Sequence, residues 1–409
     1  MGGMERRDTV VIGAGAAGLM AALDLTAAGH DVEVIEARER VGGRAHTVRF
    51  PDGRFANAGA EWINPEHHEV LGLVERHGLG LRSGGGFEAL VVDGWAQVDE
   101  PGDAERVEEA LEDLEGRLTD LEHPWEDPVA RVMDRRSATD WMDSAGLAPS
   151  ERAWMTAYIR TEYMVEPEEL SELALALAAE LDSGDTAYRI AGGTAELTDA
   201  MARELGEDRI RRGDPVRSVE HGQAGVVVRT GGHAVAADRA VIAVPLPALE
   251  RITLDPAVSV PSVHQGRGGK LLVPYGQRPD AGAGDRHVDH AGFQHVYDNA
   301  PDDQPGAPGI LTAYAYRPLP EREVLDTVGA LFPELGVPDG APVAAWWSEE
   351  PETGCTYSAL GPGDLDSLRR LREPIGRLYL AGEHTEIICG YLESALRSGR
   401  RVAARIISG

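Results

Sequence analysis

The feature that most constrains this chain is a glycine-rich turn near the N-terminus. An apolar strand leads into Gly13-x-Gly15-x-x-Gly18, a helix-forming run follows, and a second apolar strand ends at Glu36. Gly13 permits a tight turn, Gly15 lets a pyrophosphate approach bare backbone, and Gly18 lets helix and strand pack closely. Glu36 can accept hydrogen bonds from ribose hydroxyls, and the amides at the helix start favour phosphate charge. The segment therefore predicts a dinucleotide-binding βαβ unit.

An ordinary glycine-rich turn is the simplest alternative, because the chain contains 49 glycines. Such a turn would not require an acidic residue at the end of the second strand. The position of Glu36 therefore favours a nucleotide site.

Length, charge and cysteine content limit the class of protein. With 409 residues the chain is long enough for two domains. No apolar run reaches the length of a membrane span, and no export signal precedes the first strand, so we expect a cytoplasmic protein with no membrane partner. The two cysteines are too few for a disulfide framework. No metal-binding motif is present, so we expect no metal.

The net charge of −30 argues against general nucleic-acid binding. It could draw cationic substrates toward the protein, or it could simply reflect a biased composition. That bias is visible in the basic residues, since Lys270 is the one lysine among 39 of them. A lysine that survives in such a chain suggests a place where the planar fork of arginine does not serve.

A second ordered pattern lies at the far end of the chain. The strand-like segment 377–381 runs into a Gly382-Glu383 turn, and a helix opens after Tyr391. A strand, an acidic turn and a helix at this position indicate that the nucleotide-binding domain is discontinuous. Between the ends, residues 101–181 have helical spacing of apolar residues, and residues 268–350 contain further strand-like runs.

In its motifs the chain resembles the flavin-containing amine oxidase family, which includes monoamine oxidases, polyamine oxidases and their bacterial relatives. The resemblance rests on sequence segments that span nearly the whole chain: VIGAGAAGL at 11–19, VIEARERVGGR at 34–44, GAEW at 59–62, AGGT at 191–194, PVRSV at 215–219, GKLLV at 269–273, AGEHT at 381–385 and GYLESA at 390–395. The two-glycine step before Arg44 favours this FAD group over plain NAD enzymes.

The resemblance implies an α/β fold, with a discontinuous Rossmann-like FAD-binding domain and a mixed α+β substrate-binding domain. We assign residues 1–86, 187–258 and 352–409 to the first and residues 87–186 and 259–351 to the second. The residues expected to bind FAD are Gly13, Gly15, Ala16, Ala17, Gly18, Glu36, Ala37, Arg38, Gly43, Arg44, Gly59, Ala60, Glu61, Trp62, Val216, Cys355, Gly382, Glu383, Tyr391 and Leu392.

Two residues are implied to be catalytic. Lys270 matches the family lysine that holds a water molecule beside the reactive flavin nitrogen, and its apolar neighbours argue against a solvent-exposed lysine. Tyr391 matches one wall of the aromatic cage that guides the amine.

The opposite wall of that cage departs from the family pattern. Monoamine oxidases have a tyrosine directly after a cysteine, whereas here Thr356 follows Cys355 and Tyr357 comes one place later. The cage is half-formed, or Trp346, Trp347 or Tyr357 completes it; a plain core role for any of these three stays open. We expect Trp346, Thr356, Tyr357 and Glu61 to contact the substrate.

Cys355 leaves three alternatives open. It could be joined to the flavin as a thioether, as in some relatives, lie nearby as a free thiol, or be an unrelated structural cysteine. The GAEW segment bears on the substrate: amino-acid oxidases carry an arginine near this position, whereas Glu61 and Trp62 stand here. This difference argues against a free amino acid as substrate.

The predicted function is FAD-dependent oxidation of the carbon–nitrogen bond of a small amine to an imine, with molecular oxygen as electron acceptor. One alternative is a carbon–carbon desaturase, because protoporphyrinogen oxidases and carotenoid desaturases share both terminal signatures. A flavin-bound protein without turnover is a second. The substrate's identity and the oligomeric state, monomer or homodimer, are left open.

Overall fold

The computed structural model describes residues 5–83, 91–93, 96–97, 101–177, 187–278, 286–290, 293–298 and 309–409. The strands, numbered along the chain, are β1 (Glu5–Ile12), β2 (Val32–Ile35), β3 (His46–Arg49), β4 (Phe55–Gly59), β5 (Leu81–Ser83), β6 (Val91–Asp93), β7 (Ala96–Gln97), β8 (Tyr188–Ile190), β9 (Ile210–Arg211), β10 (Ser218–Gly222), β11 (Gly225–Arg229), β12 (Ala234–Ile242), β13 (Thr253–Asp255), β14 (His264–Gln265), β15 (Gly269–Pro274), β16 (Arg286–His290), β17 (Phe293–Asp298), β18 (Ile310–Ala315), β19 (Val343–Trp346), β20 (Ser358–Ala359) and β21 (Leu378–Leu380).

The α-helices are α1 (Ala16–Ala27), α2 (His68–Arg76), α3 (Pro101–Glu115), α4 (Pro128–Met133), α5 (Ala138–Ser144), α6 (Pro149–Tyr163), α7 (Glu172–Leu177), α8 (Ala195–Leu205), α9 (Leu246–Leu249), α10 (Glu321–Leu331), α11 (Leu365–Leu371) and α12 (Leu392–Ser408). Short 3₁₀ helices lie at Glu207–Arg209, Pro333–Leu335 and Glu383–Thr385. No helix among the described residues is long and apolar enough to cross a membrane.

The first sheet joins the two ends of the chain. It has eight strands in the order β13-β10-β11-β12-β1-β2-β9, with β21 also paired to β12. Strand β1 lies parallel to both β2 and β12, and its residues 9–12 are buried. Burial on both faces is typical of parallel strands covered by helices. The expected discontinuous α/β fold is thereby confirmed.

Helices α1 and α12, from opposite ends of the chain, pack closely together. At Gly399 of α12, a Cβ atom would lie 2.3 Å from the carbonyl oxygen of Ala17, so a larger residue would push the helices apart. This contact fixes the C-terminal helix beside the glycine-rich turn.

The second sheet is mostly antiparallel and has seven strands in the order β19-β15-β18-β17-β16-β6-β7. Its central strand β15 is buried along its whole length and pairs with β18 and β19. Helix α10 covers this sheet with buried apolar residues such as Val324, Val328 and Leu331.

Each sheet draws its strands from the chain segments that the sequence assigns to one domain. The domain division itself stays a prediction, and its boundaries after residues 86 and 186 fall outside the described residues. Helices α3 to α7 occupy the expected helical insertion.

Candidate active site

One cavity of about 840 Å³ brings most of the predicted site residues together. It is lined by both ends of the chain and by strands of the second sheet. The predicted residues that line it are Gly13, Gly15, Ala16, Ala17, Glu36, Ala37, Arg38, Gly43, Arg44, Gly59, Ala60, Glu61, Trp62, Val216, Lys270, Thr356, Tyr357, Gly382, Glu383, Tyr391 and Leu392. Three others, Gly18, Trp346 and Cys355, do not line it.

The glycines of the first turn have separate roles. Gly13 has a φ of +101°, a conformation that favours glycine. A Cβ on Gly18 would lie 2.0 Å from the carbonyl oxygen of Gly13, so Gly18 serves helix–strand packing. A Cβ on Gly15 would meet nothing within 4 Å. Space is therefore left where a phosphate would approach the backbone at the start of α1.

Glu36 closes this end of the cavity at the tip of β2. Its carboxylate is buried and accepts hydrogen bonds from the backbone N–H groups of Ala14, at 2.7 Å, and Arg38, at 2.8 Å. The acid thus holds the glycine-rich turn in place while it faces the cavity.

A buried ion pair joins the two ends of the chain. Arg44 Nη1 lies 3.0 Å from Glu383 Oε1 and also donates to the carbonyl oxygen of Thr356 at 2.9 Å. Glu383 accepts a further hydrogen bond from the N–H of Gly390 at 2.9 Å. Burial alone would raise the pKa of Glu383, but Arg44 and these hydrogen bonds hold it below its ordinary value.

Helix α12 begins at the cavity wall. Tyr391 is its N-cap residue and Leu392 its first residue, and both line the cavity. The free amides at this helix start favour negative charge in front of them. The ring of Tyr391 packs edge-on against His67, with 5.5 Å between ring centroids.

His384 lines the cavity, although the sequence analysis predicts no role for it. Neither ring nitrogen has a hydrogen-bond partner among the described residues, although the side chain is 2% exposed. Burial lowers its pKa to about 4, so the ring is neutral. A buried polar group without a partner is unfavourable, which indicates that a bound molecule supplies one.

Lys270 lies at the opposite end of the cavity, within β15. Its ammonium donates hydrogen bonds to Glu61 Oε2 at 2.7 Å, to the Tyr297 hydroxyl at 2.9 Å and to the carbonyl oxygen of Asn57 at 3.4 Å. The side chain is 9% exposed. Lys270 is therefore a buried cation whose chief partner is the carboxylate of Glu61.

Tyr357 lies beside Tyr314 and α6. The two hydroxyls are 2.9 Å apart, and the Tyr357 hydroxyl also donates to the carbonyl oxygen of Glu162 at 2.7 Å. Burial raises the pKa of Tyr314 to well above its ordinary value, so this phenol stays protonated. Gly390 packs against the Tyr357 ring, which brings Tyr357 close to the start of α12.

The side chains of the two neighbouring tryptophans lie in different surroundings. Trp347 lines the cavity and donates from Nε1 to the carbonyl oxygen of Ala58 at 3.0 Å. Trp346 instead packs against the core of the second sheet. Trp346 is the last residue of β19 and Trp347 follows it, so of the two it is Trp347 that lines the cavity, and the expected substrate contact of Trp346 stays a prediction.

Cys355 is fully buried and lies behind the cavity wall. Its sulfur is 3.9 Å from both Arg44 Nη1 and the carbonyl oxygen of Thr353. Burial raises its pKa to about 11, although the charge of Arg44 opposes this shift. The thiol is therefore protonated at neutral pH, a poorly nucleophilic state. Cys389, in contrast, lines the cavity.

One arm of the cavity follows helix α6. Trp154, Tyr158 and Glu162 line it at four-residue spacing, which places them on one face of the helix over about 12 Å. The rings of Trp154 and Tyr158 are stacked, with centroids 5.8 Å apart. Glu108 of α3 lines the same arm.

Sequence reasoning missed Tyr297, Tyr314 and Arg189, as well as His384. The first three stand on strands of low sequence regularity, and they reach the site through pairing of β17, β18 and β8 with distant strands. Of these four residues, His384 alone lies in a motif that the sequence analysis uses, the AGEHT segment at 381–385.

The cavity fits a flavin dinucleotide. It offers an open glycine turn at a helix start, an acid at the end of β2, a second helix start at α12 and a buried imidazole without a partner. The site residues expected to hold FAD come from both terminal segments, as the fold requires for a single elongated ligand.

Comparisons with known proteins agree with this geometry. A family model described as flavin containing amine oxidoreductase matches residues 16–407. A Mycobacterium tuberculosis protein named as a flavin-containing monoamine oxidase is 29% identical, covering 98% of this chain and 96% of its own. Kocuria rosea putrescine oxidase is 28% identical, with coverage of 98% and 95%. The solved structure of wild-type putrescine oxidase bound to putrescine superposes with a TM-score of 0.86 at 25% identity, over 100% of both chains.

Proposed function

Because this chain belongs to the flavin-containing amine oxidoreductase family, we propose that this FAD-dependent oxidoreductase converts the carbon–nitrogen bond of a small-molecule amine to an imine, with molecular oxygen as electron acceptor. One observation carries the proposal. The cavity that holds the dinucleotide-binding turn continues, without a break, to Lys270 and to the rings of Tyr357 and Tyr391.

FAD, when bound, supplies the redox chemistry by accepting a hydride equivalent from the carbon beside the amine nitrogen and passing electrons on. The chain's own residues would bind the cofactor and orient the substrate. The turn at Gly13 to Gly15 and the start of α1 would hold the pyrophosphate, Glu36 would hold the adenosine ribose, and the amides at the start of α12 would favour negative charge on the ring system.

The substrate side is enclosed by aromatic side chains. Tyr357 and Tyr391 form the two walls through which the amine reaches the reacting end. Lys270 and Arg189 carry two positive charges around the carboxylate of Glu61, and Glu162 adds a carboxylate to the cavity lining. We propose that the amine reacts as the neutral base, because a hydride can leave the carbon only when the nitrogen lone pair is free to form the imine.

The arm along α6 takes the part of the substrate that does not react. Trp154 and Tyr158 offer flat apolar faces, and Glu108 adds a carboxylate. An amine with an extended apolar or cationic tail fits this arm better than a compact one.

Anaerobic mixing with a panel of amines tests the function. We expect loss of the yellow flavin colour with at least one amine, followed by its return when oxygen is admitted. Bleaching by cyclic alkenes or porphyrinogens instead of amines would identify a carbon–carbon desaturase. Failure of every donor, with a dye reductant still able to bleach the flavin, would identify a binding protein without turnover.

Oxygen use and cellular location need separate measurements. An oxygen electrode distinguishes an oxidase, which consumes oxygen with each amine, from a dehydrogenase that needs a dye. The cytoplasmic location belongs to this proposal and is supported by two free cysteines, Cys355 and Cys389. Fractionation of the source cells would check it.

A further inference from the structure

The ammonium group of Lys270 has no hydrogen left to donate. An ammonium can donate three hydrogen bonds. Glu61, Tyr297 and the carbonyl oxygen of Asn57 accept them from three different chain segments. Two aromatic faces, those of Tyr297 and Tyr314, lie 5.6 and 5.5 Å from the nitrogen. The cation is thus surrounded on several sides by groups that favour positive charge.

Glu61 is held as firmly as the lysine it pairs with. Its Oε2 atom accepts from Lys270 and from the Tyr297 hydroxyl. Its Oε1 atom lies 3.3 Å from Nε of Arg189, whose guanidinium stacks on Trp62 at 3.9 Å. The carboxylate therefore bridges two cations inside the protein.

We propose that Glu61 is a positioning residue that holds Lys270 in place and in its charged form, with Arg189 fixing the far oxygen of Glu61. Lys270 then acts as a permanent cation beside the reacting atoms, and takes no part in proton transfer. A buried ammonium without a counter-charge would lose its proton more easily, because burial disfavours the charged form.

The other titratable groups around the pair keep fixed charges. Burial alone would raise the pKa of Glu61, but Lys270, Arg189 and Tyr297 hold it below its ordinary value. Burial and the negative charge of Glu61 raise the pKa of Tyr297 well above its ordinary value, so its hydroxyl stays a donor. Tyr314, on the neighbouring strand, is likewise protonated. No group in contact with Lys270 changes charge near neutral pH.

The sequence makes a direct measurement simple, since Lys270 is the chain's one lysine. Lysine labelled with ¹³C at Cε gives one side-chain signal, and its shift with pH follows the ammonium. In Glu61→Gln holoenzyme we expect this signal to titrate at a pH lower by more than about one unit than in the wild type. Glu61→Asp, which keeps a carboxylate, should restore most of the difference.

Two further variants refine the test. Arg189→Met should instead give a small upward shift, because it removes a neighbouring positive charge and leaves Glu61 paired to Lys270. Glu172→Gln is the matched control: Glu172 is also buried and paired to an arginine, Arg136, but lies outside the cavity. In Glu172→Gln, the pH dependence of the Lys270 signal should equal that of the wild type.

The catalytic consequence rests on the proposed function and is read separately. If amines reduce the flavin, the rate in Glu61→Gln should acquire a pH dependence with the same midpoint as the lysine signal. A lysine titration that is the same in wild type and Glu61→Gln overturns the proposal. Because the titration needs no substrate, it tests the role of Glu61 even if no amine is oxidised. Should Glu61→Gln fail to fold, Glu61→Ala, which also removes the carboxylate and adds no bulk, is titrated in its place with the same two outcomes.

Discussion

The two ends of the cavity are built in different ways. At the dinucleotide end, the backbone forms the site: Gly13, Gly15 and the amides of α1 belong to one short segment. At the reacting end, side chains form the site: Glu61, Lys270 and Tyr297 come from three separate segments of the chain. The dinucleotide end depends on space that side-chain atoms leave free at the glycine turn. The reacting end depends on how charges and hydrogen bonds are paired.

This difference predicts how each end fails. At the dinucleotide end, an added methyl group on the glycine-rich turn should do the damage. At the reacting end, a side chain of similar size but different charge should do the damage. The following experiments, ordered from the largest expected effect to the smallest, separate the two.

Adding one methyl group at two neighbouring glycines should give opposite outcomes. In Gly18→Ala the new Cβ would lie 2.0 Å from the Gly13 carbonyl oxygen, so we expect a loss of stability on the order of 3 kcal/mol or more. In Gly15→Ala the methyl group enters open space, so the fold should persist while flavin is lost. Circular dichroism and flavin content measure both effects. A Gly15→Ala protein that keeps its full flavin content would show that phosphate does not approach there.

Removing the charge of Lys270 should slow amine-dependent flavin reduction or reoxidation by about 10²-fold, the effect of losing one aligned electrostatic group. Lys270→Met alone also takes from the buried Glu61 one of its two cations and leaves Arg189 and Tyr297, so the loss of stability should stay below the about 3–5 kcal/mol of a fully unpaired buried charge. The double variant Lys270→Met/Glu61→Gln removes both charges and should regain stability without regaining rate. Stopped-flow kinetics and thermal unfolding report the two effects, and an unchanged rate in the double variant would remove Lys270 from the mechanism.

Replacing His384 by Phe should weaken FAD binding by about tenfold, the value of one hydrogen bond to the cofactor. It should also change the response to acid. The native pKa is about 4 and the ordinary value 6.5, so the unfolded chain takes up a proton as the pH falls through this window and the folded protein does not. Stability is therefore present above pH 6.5 and is lost toward pH 4. The variant lacks this loss. Flavin fluorescence and unfolding midpoints at several pH values measure both, and identical acid responses would contradict the assignment.

Asp134 provides a test of stability outside the cavity. Burial, followed by the charges of Asp364 and Asp366, raises its pKa to about 6, and its Oδ1 accepts from the N–H of Leu365. The folded protein holds this proton more tightly than the unfolded chain, whose ordinary value is 3.8, so stability falls as the pH rises from about 4 to about 6 and stays constant above that. Asp134→Asn keeps the acceptor and should gain roughly 1 kcal/mol at pH 7.5. The gain should shrink as the pH falls below 6 and vanish below about pH 4; a gain that is the same at every pH would have another cause.

Cys355 should show no effect at all. Its thiol is buried behind the wall and protonated, so we expect acid precipitation of the wild type to release all of the FAD. Cys355→Ser should keep the flavin content of the wild type. Yellow colour retained in the precipitate would instead establish a thioether, and its loss in the serine variant would locate the attachment.

The sequence predicted the dinucleotide end because that end is local. The glycine spacing, the acid at Glu36 and the Gly382-Glu383 turn each lie within a few residues of the strand that positions them. Helix α1 begins inside the glycine motif, at Ala16, and α12 begins at Leu392, directly after Tyr391 as expected. The discontinuous sheet followed from finding such motifs at both termini.

The reacting end could be predicted only in part. Lys270 and Tyr391 stood out by rarity or by motif, and both line the cavity. Tyr297 and Arg189 reach Glu61 through strand pairings between distant segments, which no local pattern specifies. We expected Trp346 to contact the substrate, whereas Trp347 lines the cavity. The cause is similar, because a one-residue difference in strand register changes the face on which a side chain lies.

The pairing of β21 with β12 and of α12 with α1 has a consequence for biosynthesis. A ribosome delivers the glycine-rich turn long before these two elements, so until they emerge the nascent domain lacks both Glu383 and the helix that covers α1. The complete cofactor site can therefore form only once residues 378–408 have been synthesised.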